Sequence, residues 1–378
     1  MARPAGGGQT SAEAQTLPGK QPARCEAMKC AILAAGCITP GGLTLAETAA
    51  STRARVARLK AIDWLDRRFD AFVVGRVSDD GLPELNAALA AQMRPSRESR
   101  MLQLAHAALA DVVRDLPPQI EAPPLLLALP EHHTTIAIEP TRFLQRLALQ
   151  AGPCFDLGNS IAAPRGRAAG VMAIKQALQR IESGQSKFVL VGGVDSLVDL
   201  HLLGTFDRED RIRGETISDG FSPSEGAAFV LLGDADTTRA YGIPALAHVN
   251  AAAIGQEPGH LYSDEPYLGE GLASAVSSAI DAAELPTQIA SVFCTFNGER
   301  YWAREFGVAR IRNAAAFADD AAMEHPAECF GDLGAAHGVA LAALAAHGIA
   351  RGYRRAPALV YASSDHADRA AAILDRAA

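Results

Sequence analysis

The chain has 378 residues, of which 49% are hydrophobic and 21% are charged. A chain of this length and apolar content can bury a large core, and its size favours two fused domains or one large duplicated domain. The formal net charge of -8 and the pI near 5.7 argue against a surface that binds nucleic acid or an anionic membrane.

The first residues of the chain differ in composition from the rest. Residues 1–27 are rich in Ala, Gly, Pro and Gln, and they lack the apolar core of a secretion signal. We interpret them as a flexible leader. The first strand-like run follows Met28 directly, so Met28 is a candidate for the true start of the protein. No later stretch has the composition of a membrane span, and we expect a cytoplasmic location.

Apolar runs that predict strands alternate along the chain with helical patterns, which favours an α/β fold with mainly parallel sheets. The predicted strands are residues 29–35, 123–129, 187–192, 227–232, 245–250, 290–296 and 357–362. The predicted helices are residues 99–114, 166–183, 268–284 and 333–350. In the second of these helices, Val171, Ile174, Leu178 and Ile181 fall on one stripe, as the 3.6-residue period requires.

One pattern occurs twice. An alanine-rich helix that begins near Gly166 leads into the strand FVLVGGVDS, and a similar helix that begins near Gly334 leads into ALVYASSD. A tandem duplication of one α/β unit would produce this pattern. Ordinary repetition of strand–helix–strand units is the alternative, and the pattern alone does not decide between the two.

The six cysteines form no CxxC pair, and no Cys/His cluster has the spacing of a zinc site. Buried thiols in a reducing compartment explain this usage for most of them. We therefore predict neither a metal site nor a bound cofactor.

The run from Phe206 to Gly233, FDREDRIRGETISDGFSPSEGAAFVLLG, carries a family resemblance. Its DGF (Asp219 to Phe221) and its EGAA (Glu225 to Ala228) resemble a diagnostic stretch of β-ketoacyl synthases, and GDLGAAHG farther on is similar to that family's GHxxGAAG element. The resemblance spans residues 29–370 in the same order. It implies the thiolase fold, a duplicated α-β-α-β-α architecture of five layers, with halves at 28–240 and 241–378. By family habit it also implies a dimer.

The resemblance fails at the catalytic residues. The family has a nucleophilic cysteine at the start of the helix that precedes the GG strand, where the helix dipole lowers the thiol pKa. The equivalent turn here is GRAAG, and Arg167 stands at the nucleophile position. A guanidinium is protonated at physiological pH and cannot attack a thioester.

Both histidines of the family's catalytic set are also replaced. Asn297 follows the strand SVFCTF where one histidine belongs, and Gly331 or Asp332 takes the place of the other, depending on a one-residue gap. The family's C-terminal GFGG loop is SSDH here, Ser363 to His366. Loss of the nucleophile alone can cost on the order of 10⁶ in rate.

The remaining candidate residues each have two interpretations. Arg167, at a helix N-terminus, either forms an internal salt bridge with Asp332 or Glu299 or binds an anionic ligand. Glu225 either supports the site from behind or pairs with Arg167.

Cys294 and Cys329 are either structural or a relocated nucleophile, because thiolases use a cysteine from their second half. Phe221 is a candidate pocket residue. The stretch from Asn297 to Phe306 is either a packed loop or an exposed patch that binds a partner.

We expect from these residues a non-catalytic ketosynthase-like protein that binds a protein partner or an acyl group. The resemblance extends to two settings: the chain-length subunit of aromatic polyketide synthesis, and an accessory protein encoded beside type VI secretion effectors. A homodimer or a heterodimer is expected, and an acyl carrier protein is a candidate partner. The competing hypothesis is an acyltransferase of the 3-oxoacyl-synthase type or a thioesterase-like enzyme, with a relocated thiol or a water activated by Asp332.

Overall fold

The computed structural model describes residues 30–114, 116, 120–133 and 137–377. The predicted leader and the start at Met28 lie outside these residues. The strands of the described part are β1 Cys30–Ile38, β2 Leu59–Leu65, β3 Ala71–Gly75, β4 Pro124–Leu129, β5 Asp156–Pro164, β6 Phe188–Ser196, β7 Glu225–Asp234, β8 Ala247–Gln256, β9 Ile289–Cys294, β10 Phe317–Glu324, β11 Ala358–Ser363 and β12 Asp368–Asp375. Its α-helices are α1 Leu45–Arg53, α2 Ala87–Ala90, α3 Arg97–Val113, α4 Pro140–Ala151, α5 Ala169–Glu182, α6 Leu200–Arg208, α7 Ala235–Ala240, α8 Glu270–Ala283, α9 Arg300–Arg312, α10 Ala327–Phe330 and α11 His337–Ala350.

All seven predicted strands and all four predicted helices are confirmed, with some ends shifted by several residues. The helices predicted to begin at 166 and 333 each open with a short 3₁₀ turn, Gly166–Ala168 and Gly334–Ala336. The stretch that follows Asn297 is helix α9 and not a loop. The β2–β3 hairpin and strand β5 carry weaker patterns and were not predicted.

Ten strands form one hydrogen-bonded sheet in the order β10-β9-β11-β12-β8-β1-β7-β6-β4-β5. The order β5-β4-β6-β7-β1 on one side repeats as β10-β9-β11-β12-β8 on the other, and corresponding neighbours run in the same relative directions. Antiparallel pairing of β1 with β8 joins the two sides. This repetition is what a tandem duplication produces; the division at residue 240, between α7 and β8, stays a prediction.

The elements stack in five layers, as the thiolase fold requires. Helices α5 and α11 pack on each other and contact strands of both halves of the sheet. Helices α3 and α4 cover the outer face of one half, and α8 and α9 cover the outer face of the other. One apolar core surrounds the central helices and contacts both halves of the sheet, and a further core lies under the outer helices of each half.

Helix α11 shows why the sequence suits the central layer. Almost all of its residues are buried, and apolar residues occupy every side of it, as expected for a helix enclosed by two sheets. Small residues let the central helices approach closely: a Cβ at Gly170 would lie 2.4 Å from a methyl of Val339, and a Cβ at Gly338 would lie 2.8 Å from the carbonyl oxygen of Arg167. None of the helices in the described ranges is long and apolar enough to cross a membrane.

Candidate functional site

Strand β5 and helix α5 position Arg167 in the interior. The strand ends at Pro164, and Gly166 turns the chain with a φ of +66°, in the left-handed region that favours glycine. Arg167 lies in the 3₁₀ turn that opens α5, and only 4% of the residue is exposed. The Ala168 N–H donates a hydrogen bond to Ser364 Oγ at 3.0 Å, which ties the turn to the loop after β11.

A tight turn after α10 positions Asp332. Gly331 has a φ of +84°, and the next residue, Asp332, is fully buried. The Asp332 N–H donates to the carbonyl oxygen of Ser222 at 2.9 Å, and the Asp332 carbonyl accepts from the Ser224 N–H at 3.0 Å. Between the two residues that the sequence left open, it is therefore Asp332 whose side chain enters the interior.

Arg167 and Asp332 form a two-point ion pair. Arg167 Nε lies 2.8 Å from Asp332 Oδ2 and 3.0 Å from Oδ1, and Arg167 Nη2 lies 2.5 Å from Oδ2. The third nitrogen, Nη1, lies 2.5 Å from Oδ1 of Asp365. Charge-assisted bonds of this geometry are the strong ones, and they engage every nitrogen of the guanidinium.

A second arginine continues the network. Arg211 donates to both oxygens of Asp365, at 2.9 and 3.2 Å, and to both oxygens of Glu299, at 2.7 and 3.0 Å. Its guanidinium carbon lies 5.2 Å from the ring centroid of Phe221 and 5.3 Å from that of Phe206. The guanidinium is thus held between carboxylates and aromatic faces.

Asn297 closes the network into a ring. Its Nδ2 donates to Asp332 Oδ2 at 2.8 Å and to Glu299 Oε2 at 2.9 Å. We call the result the buried ring; its six members, in order, are Asp332, Arg167, Asp365, Arg211, Glu299 and Asn297. Acidic and basic side chains alternate around it, except at the amide.

Further side chains surround the ring. Trp302 donates from Nε1 to Glu299 at 2.9 Å, and its ring centroid lies 5.6 Å from the Arg167 guanidinium carbon. On another side, Arg211 Nη1 donates to the Tyr262 hydroxyl at 2.6 Å, and that hydroxyl donates to Glu209 at 2.8 Å. Trp302 is buried, so the interpretation of this aromatic residue as part of an exposed patch is wrong.

The ring shifts the pKa values of Asp332, Asp365 and Arg167. Burial opposes ionisation of the Asp332 carboxyl, but the attraction of Arg167 and the hydrogen bonds outweigh it, so the pKa of Asp332 is held well below its ordinary value. Asp365 is affected in the same way by Arg167 and Arg211, and its pKa is lowered. Burial also works against the charged form of Arg167, yet its carboxylate partners raise its pKa well above the ordinary value.

His337 lies beside the ring as a fully buried side chain. Its Nδ1 is 3.5 Å from Asp332 Oδ1, a long contact, and its Nε2 has no hydrogen-bond partner within the described ranges. Within its own loop, the Asp332 carboxylate accepts a hydrogen bond from the Gly334 N–H, at 2.9 Å from Oδ1.

Glu225 is not part of the ring. Its Oε1 lies 2.6 Å from Arg100 Nη2 and accepts from the Val77 N–H at 3.0 Å, while its Oε2 accepts from the Ser196 hydroxyl at 2.9 Å. The interpretation in which Glu225 pairs with Arg167 is therefore wrong, because the Glu225 carboxylate forms its ion pair with Arg100 of helix α3.

The two candidate thiols lie outside the ring as well. The Cys294 thiol donates to the carbonyl oxygen of Glu324 at 3.4 Å and belongs to the core beneath α8 and α9. Cys329 is buried in helix α10. Burial raises the pKa of Cys294 to about 12 and that of Cys329 to about 11, so both thiols are protonated at neutral pH.

A small cavity opens beside the ring, with a volume of about 40 Å³. Its wall includes the following residues: Arg97, Glu131, His133, Arg167, Asp195, Phe206, Asp365 and His366. At roughly 10–15 Å³ for each water, it holds about three water molecules. Asp332 and Asn297 are not among its lining residues. Within the described ranges, no group of three or more His, Cys, Asp or Glu residues has the arrangement of a metal site.

Arg167, Asn297 and Asp332 were named from the sequence as candidate site residues. Arg211 and Asp365, which complete the ring, were not. Both missed residues stand in segments that the resemblance singles out: Arg211 in the charged stretch before DGF, and Asp365 in the SSDH that replaces a glycine loop. The signal for Asp365 in the sequence is a charged residue where the family has a glycine loop. The arginine at the nucleophile position is a second unexpected charge that needs a partner.

Comparisons with known proteins agree with this fold. The family model described as beta-ketoacyl synthase, N-terminal domain, matches residues 158–237. This segment contains the turn of Arg167 and the whole run from Phe206 to Gly233. No curated protein sequence matches the chain.

Solved ketosynthase structures superpose on most of the chain. A type II polyketide synthase acyl-carrier protein in complex with its ketosynthase matches with a TM-score of 0.72 at 15% identity, covering 93% of this chain and 100% of that one. The ishigamide ketosynthase/chain length factor matches at 0.73 and 16%, with the same coverage. The ketosynthase from module 6 of the bacillaene synthase of Bacillus subtilis 168 matches at 0.76 and 13%, covering 93% of this chain and 72% of that one. At such identities the likeness shows the fold alone.

Proposed function

We propose that the chain is a non-catalytic ketosynthase-like protein that acts by binding a protein partner. One observation carries the proposal: the buried ring occupies the positions that the resemblance assigns to the nucleophile and the two histidines. Arg167 and Asp332 are paired there with each other, and Asn297 is bonded to Asp332.

The chemistry of the ring members supports this role. A guanidinium is no nucleophile, and Asp332, with its lowered pKa and its charge neutralised by Arg167, is a poor base. A general base also needs the reacting proton within hydrogen-bond reach. Asp332 is fully buried and its oxygens face Arg167, Asn297 and Gly334, so a substrate or a water would have to displace those partners.

The size of the cavity beside the ring argues against an acyl chain at that position. About 40 Å³ is well below the ~150 Å³ of an apolar cavity that accommodates benzene. Its wall also carries charged groups, including Arg97, Arg167 and Asp195. An acyl chain would need to displace part of the ion network, and desolvated charges are poor partners for methylene groups.

Two cellular settings suit such a protein. The chain-length subunit resembles this chain in fold, and a ketosynthase/chain length factor is among the matching structures. The accessory protein of type VI secretion effectors resembles it in the NGERY segment, Asn297 to Tyr301, and in the SSD segment, Ser363 to Asp365. We favour the second, because the chain-length subunit usually has glutamine at the nucleophile position. Neighbouring genes distinguish the two: an intact ketosynthase with a carrier protein, or secretion effectors. A cytoplasmic location is part of the proposal.

Assembly through the end of the sheet is part of the same proposal. Strand β5 is the last strand of the sheet in the described part, and it presents Leu157 and Ile161 to solvent, the latter 46% exposed. An unpaired edge with apolar side chains is a site of strand pairing between chains. We propose a dimer through β5, with a second copy or with a related ketosynthase chain. An acyl carrier protein remains a candidate for a further partner.

The second candidate function is acyl transfer through a relocated thiol. Thiolases, which share this fold, use a cysteine from their second half. Cys294 and Cys329 are buried, however; their pKa values are raised, and neither has a histidine partner in the described part. A thiol that is protonated and buried neither attacks a thioester nor is reached by one.

Intact-protein mass spectrometry tests the proposal. The protein is incubated with malonyl and medium-chain acyl thioesters, on both coenzyme A and carrier protein, with an intact ketosynthase as the positive control. We expect no mass increase and no released thiol. An acyl adduct on Cys294 or Cys329 would show that the nucleophile has moved and that the protein is an acyltransferase.

A further inference from the structure

A two-stranded hairpin lies outside the large sheet. Strands β2 and β3 pair only with each other, apart from a bridge between Gly75 and Ser224. On its inner face, Phe72 and Val74 are buried in an apolar cluster that includes Phe206 and Phe221, the two rings beneath Arg211. The hairpin is thereby anchored to the wall of the buried ring.

The outer face of the hairpin is exposed and largely apolar, and the exposed Asp63 lies between its residues Ala61 and Leu65 in β2. Ala61 pairs with Val73 and Leu65 pairs with Ala71, and all four residues are exposed. Leu65 is 54% exposed, and Trp64 beside it is exposed as well. An apolar face of this kind on a sheet is covered in most proteins, so its exposure marks a surface for interaction.

Phe69, at the tip, is the most unusual residue of the hairpin. It is 82% exposed and has a φ of +68°, in the left-handed region that disfavours bulky side chains. Its ring has no aromatic or cation–π contact in the described ranges. Glycine would adopt this backbone without strain, so the aromatic side chain lowers stability at this position while most of its surface stays exposed.

The tip is nevertheless held in place. The Arg67 N–H donates to Asp207 Oδ2 at 3.0 Å, and Arg68 Nη2 lies 2.9 Å from Asp210 Oδ1. The Phe69 N–H donates to the carbonyl oxygen of Asp66 at 3.1 Å. Phe69 is therefore presented on an ordered turn, and docking on it requires little ordering of this chain.

The other end of the hairpin carries cations. Arg55, Arg58 and Lys60 are exposed, and none of them has an ion-pair partner in the part of the chain that the structure describes. In a chain whose net charge is -8, three neighbouring cations without partners attract a negatively charged surface. At ~3.3 Å per residue, the seven residues of β2 place these cations about 20 Å from the tip.

We infer that the outer face of the hairpin is a docking surface for a protein partner that combines apolar side chains with carboxylates. The apolar side chains contact Leu65, Phe69 and Val73, with Phe69 as the central anchor. The carboxylates contact the cations near Arg58. This inference rests on the proposed function, in which the protein acts by binding a partner, and it assigns that partner a place and a chemistry.

Site-specific photo-crosslinking in the producing cells tests the inference. The crosslinking amino acid p-benzoylphenylalanine is incorporated in place of Phe69 in the full chain. The matched control carries it in place of Ile311, an equally exposed apolar residue on α9. We expect one crosslinked protein from position 69, at least tenfold more abundant than from position 311. The crosslinked segment, identified by mass spectrometry, is expected to be apolar with adjoining Asp or Glu residues.

A charge-reversed variant tests the role of the cations near Arg58. Arg58→Glu combined with Lys60→Glu is expected to reduce the crosslink from position 69 at least tenfold. Phe69→Gly serves as the folding control; because glycine relieves the left-handed strain, its melting temperature is expected to be no lower than that of the natural protein.

Several outcomes would overturn the inference. They are the absence of an adduct, equal adducts from positions 69 and 311, a crosslink to a second copy of this chain or to residues 1–29, and a yield that the charge reversal leaves unchanged. Failure here differs from failure of the proposed function. An acyl adduct in the thioester assay would refute the non-catalytic role without affecting the crosslink, whereas a missing crosslink without an acyl adduct would remove only the hairpin surface.

Discussion

Replacement of Arg167 by methionine tests whether the buried ring holds the structure together. The substitution keeps much of the side-chain volume but leaves Asp332 buried without its cation, with only the Asn297 amide and the Gly334 N–H as close donors. Removal of one partner from a buried ion pair costs about 3–5 kcal/mol. With an unfolding entropy of about 2.1 cal/mol/K per residue over the chain, the melting temperature is expected to fall by about 4–6 °C.

Two controls isolate the buried pair. Arg165→Met removes a guanidinium two residues away, whose partner Asp368 lies 3.0 Å from it at the surface, and this loss is expected to be below about 1 kcal/mol. Arg167→Met combined with Asp332→Asn removes both charges, so it is expected to recover at least half of the stability lost by the single variant. If Arg167→Met is as mild as Arg165→Met, the reasoning about the ring is refuted.

The pH dependence of the Arg167→Met deficit gives an independent check. In the natural protein, the folded pKa of Asp332 is lowered, so its contribution is present above the unfolded value of about 3.9 and is lost only as the pH falls toward the folded pKa. In the variant, burial acts without the cation and raises that pKa above the unfolded value. The deficit, measured by thermal unfolding, is therefore expected to be smaller at pH 5 than at pH 7.5; an equal deficit would contradict the assignment to Asp332.

Three further predictions use other parts of the molecule. Because burial raises their pKa values to about 12 and about 11, Cys294 and Cys329 are expected to resist iodoacetamide at pH 7.5 until the protein is denatured, and peptide mapping that finds either one alkylated in the native protein would contradict their burial. Gly334→Ala places a Cβ 2.1 Å from Asp195 Oδ2 at a φ of +53°, so a loss of about 1–3 kcal/mol is expected in thermal unfolding, and unchanged stability would show that the turn adapts. Ile161→Asp, at the β5 edge, is expected to convert the dimer into monomers in light scattering, and a variant that stays dimeric would exclude this edge as the interface.

The sequence predicted the main helices and strands because their signals are local. The stripe of Val171, Ile174 and Leu178 gives a helix with one buried side, and the apolar run at 187–192 gives a strand enclosed on both faces. The arrangement of these elements in layers was inferred from the order of the motifs, through the resemblance to β-ketoacyl synthases. Hairpin β2–β3 escaped prediction because its outward face is apolar, so the usual alternation of apolar and polar residues is missing.

The residues proposed for the catalytic positions were also named from the sequence, since each one lies within or beside a recognisable motif. Their partners were not. Pairing with Arg167 was one of two interpretations of Glu225, yet the partner of this carboxylate is Arg100, 125 residues away in the chain. Nothing local distinguishes Arg100 from other arginines of the chain, because an ion pair depends on where two backbones meet and on how far each side chain reaches.

By itself, then, the sequence predicted a thiolase fold, and through the resemblance it proposed Arg167, Asn297 and either Gly331 or Asp332 for the positions of a catalytic set. Only the tertiary structure decided that Arg167, Asn297 and Asp332 close into a ring through Arg211 and Asp365, across separations of 154 and 198 residues. The physical reason is that a charge brought into the interior must find a partner there, and the partner is whichever opposite charge the packed layers place within hydrogen-bond distance.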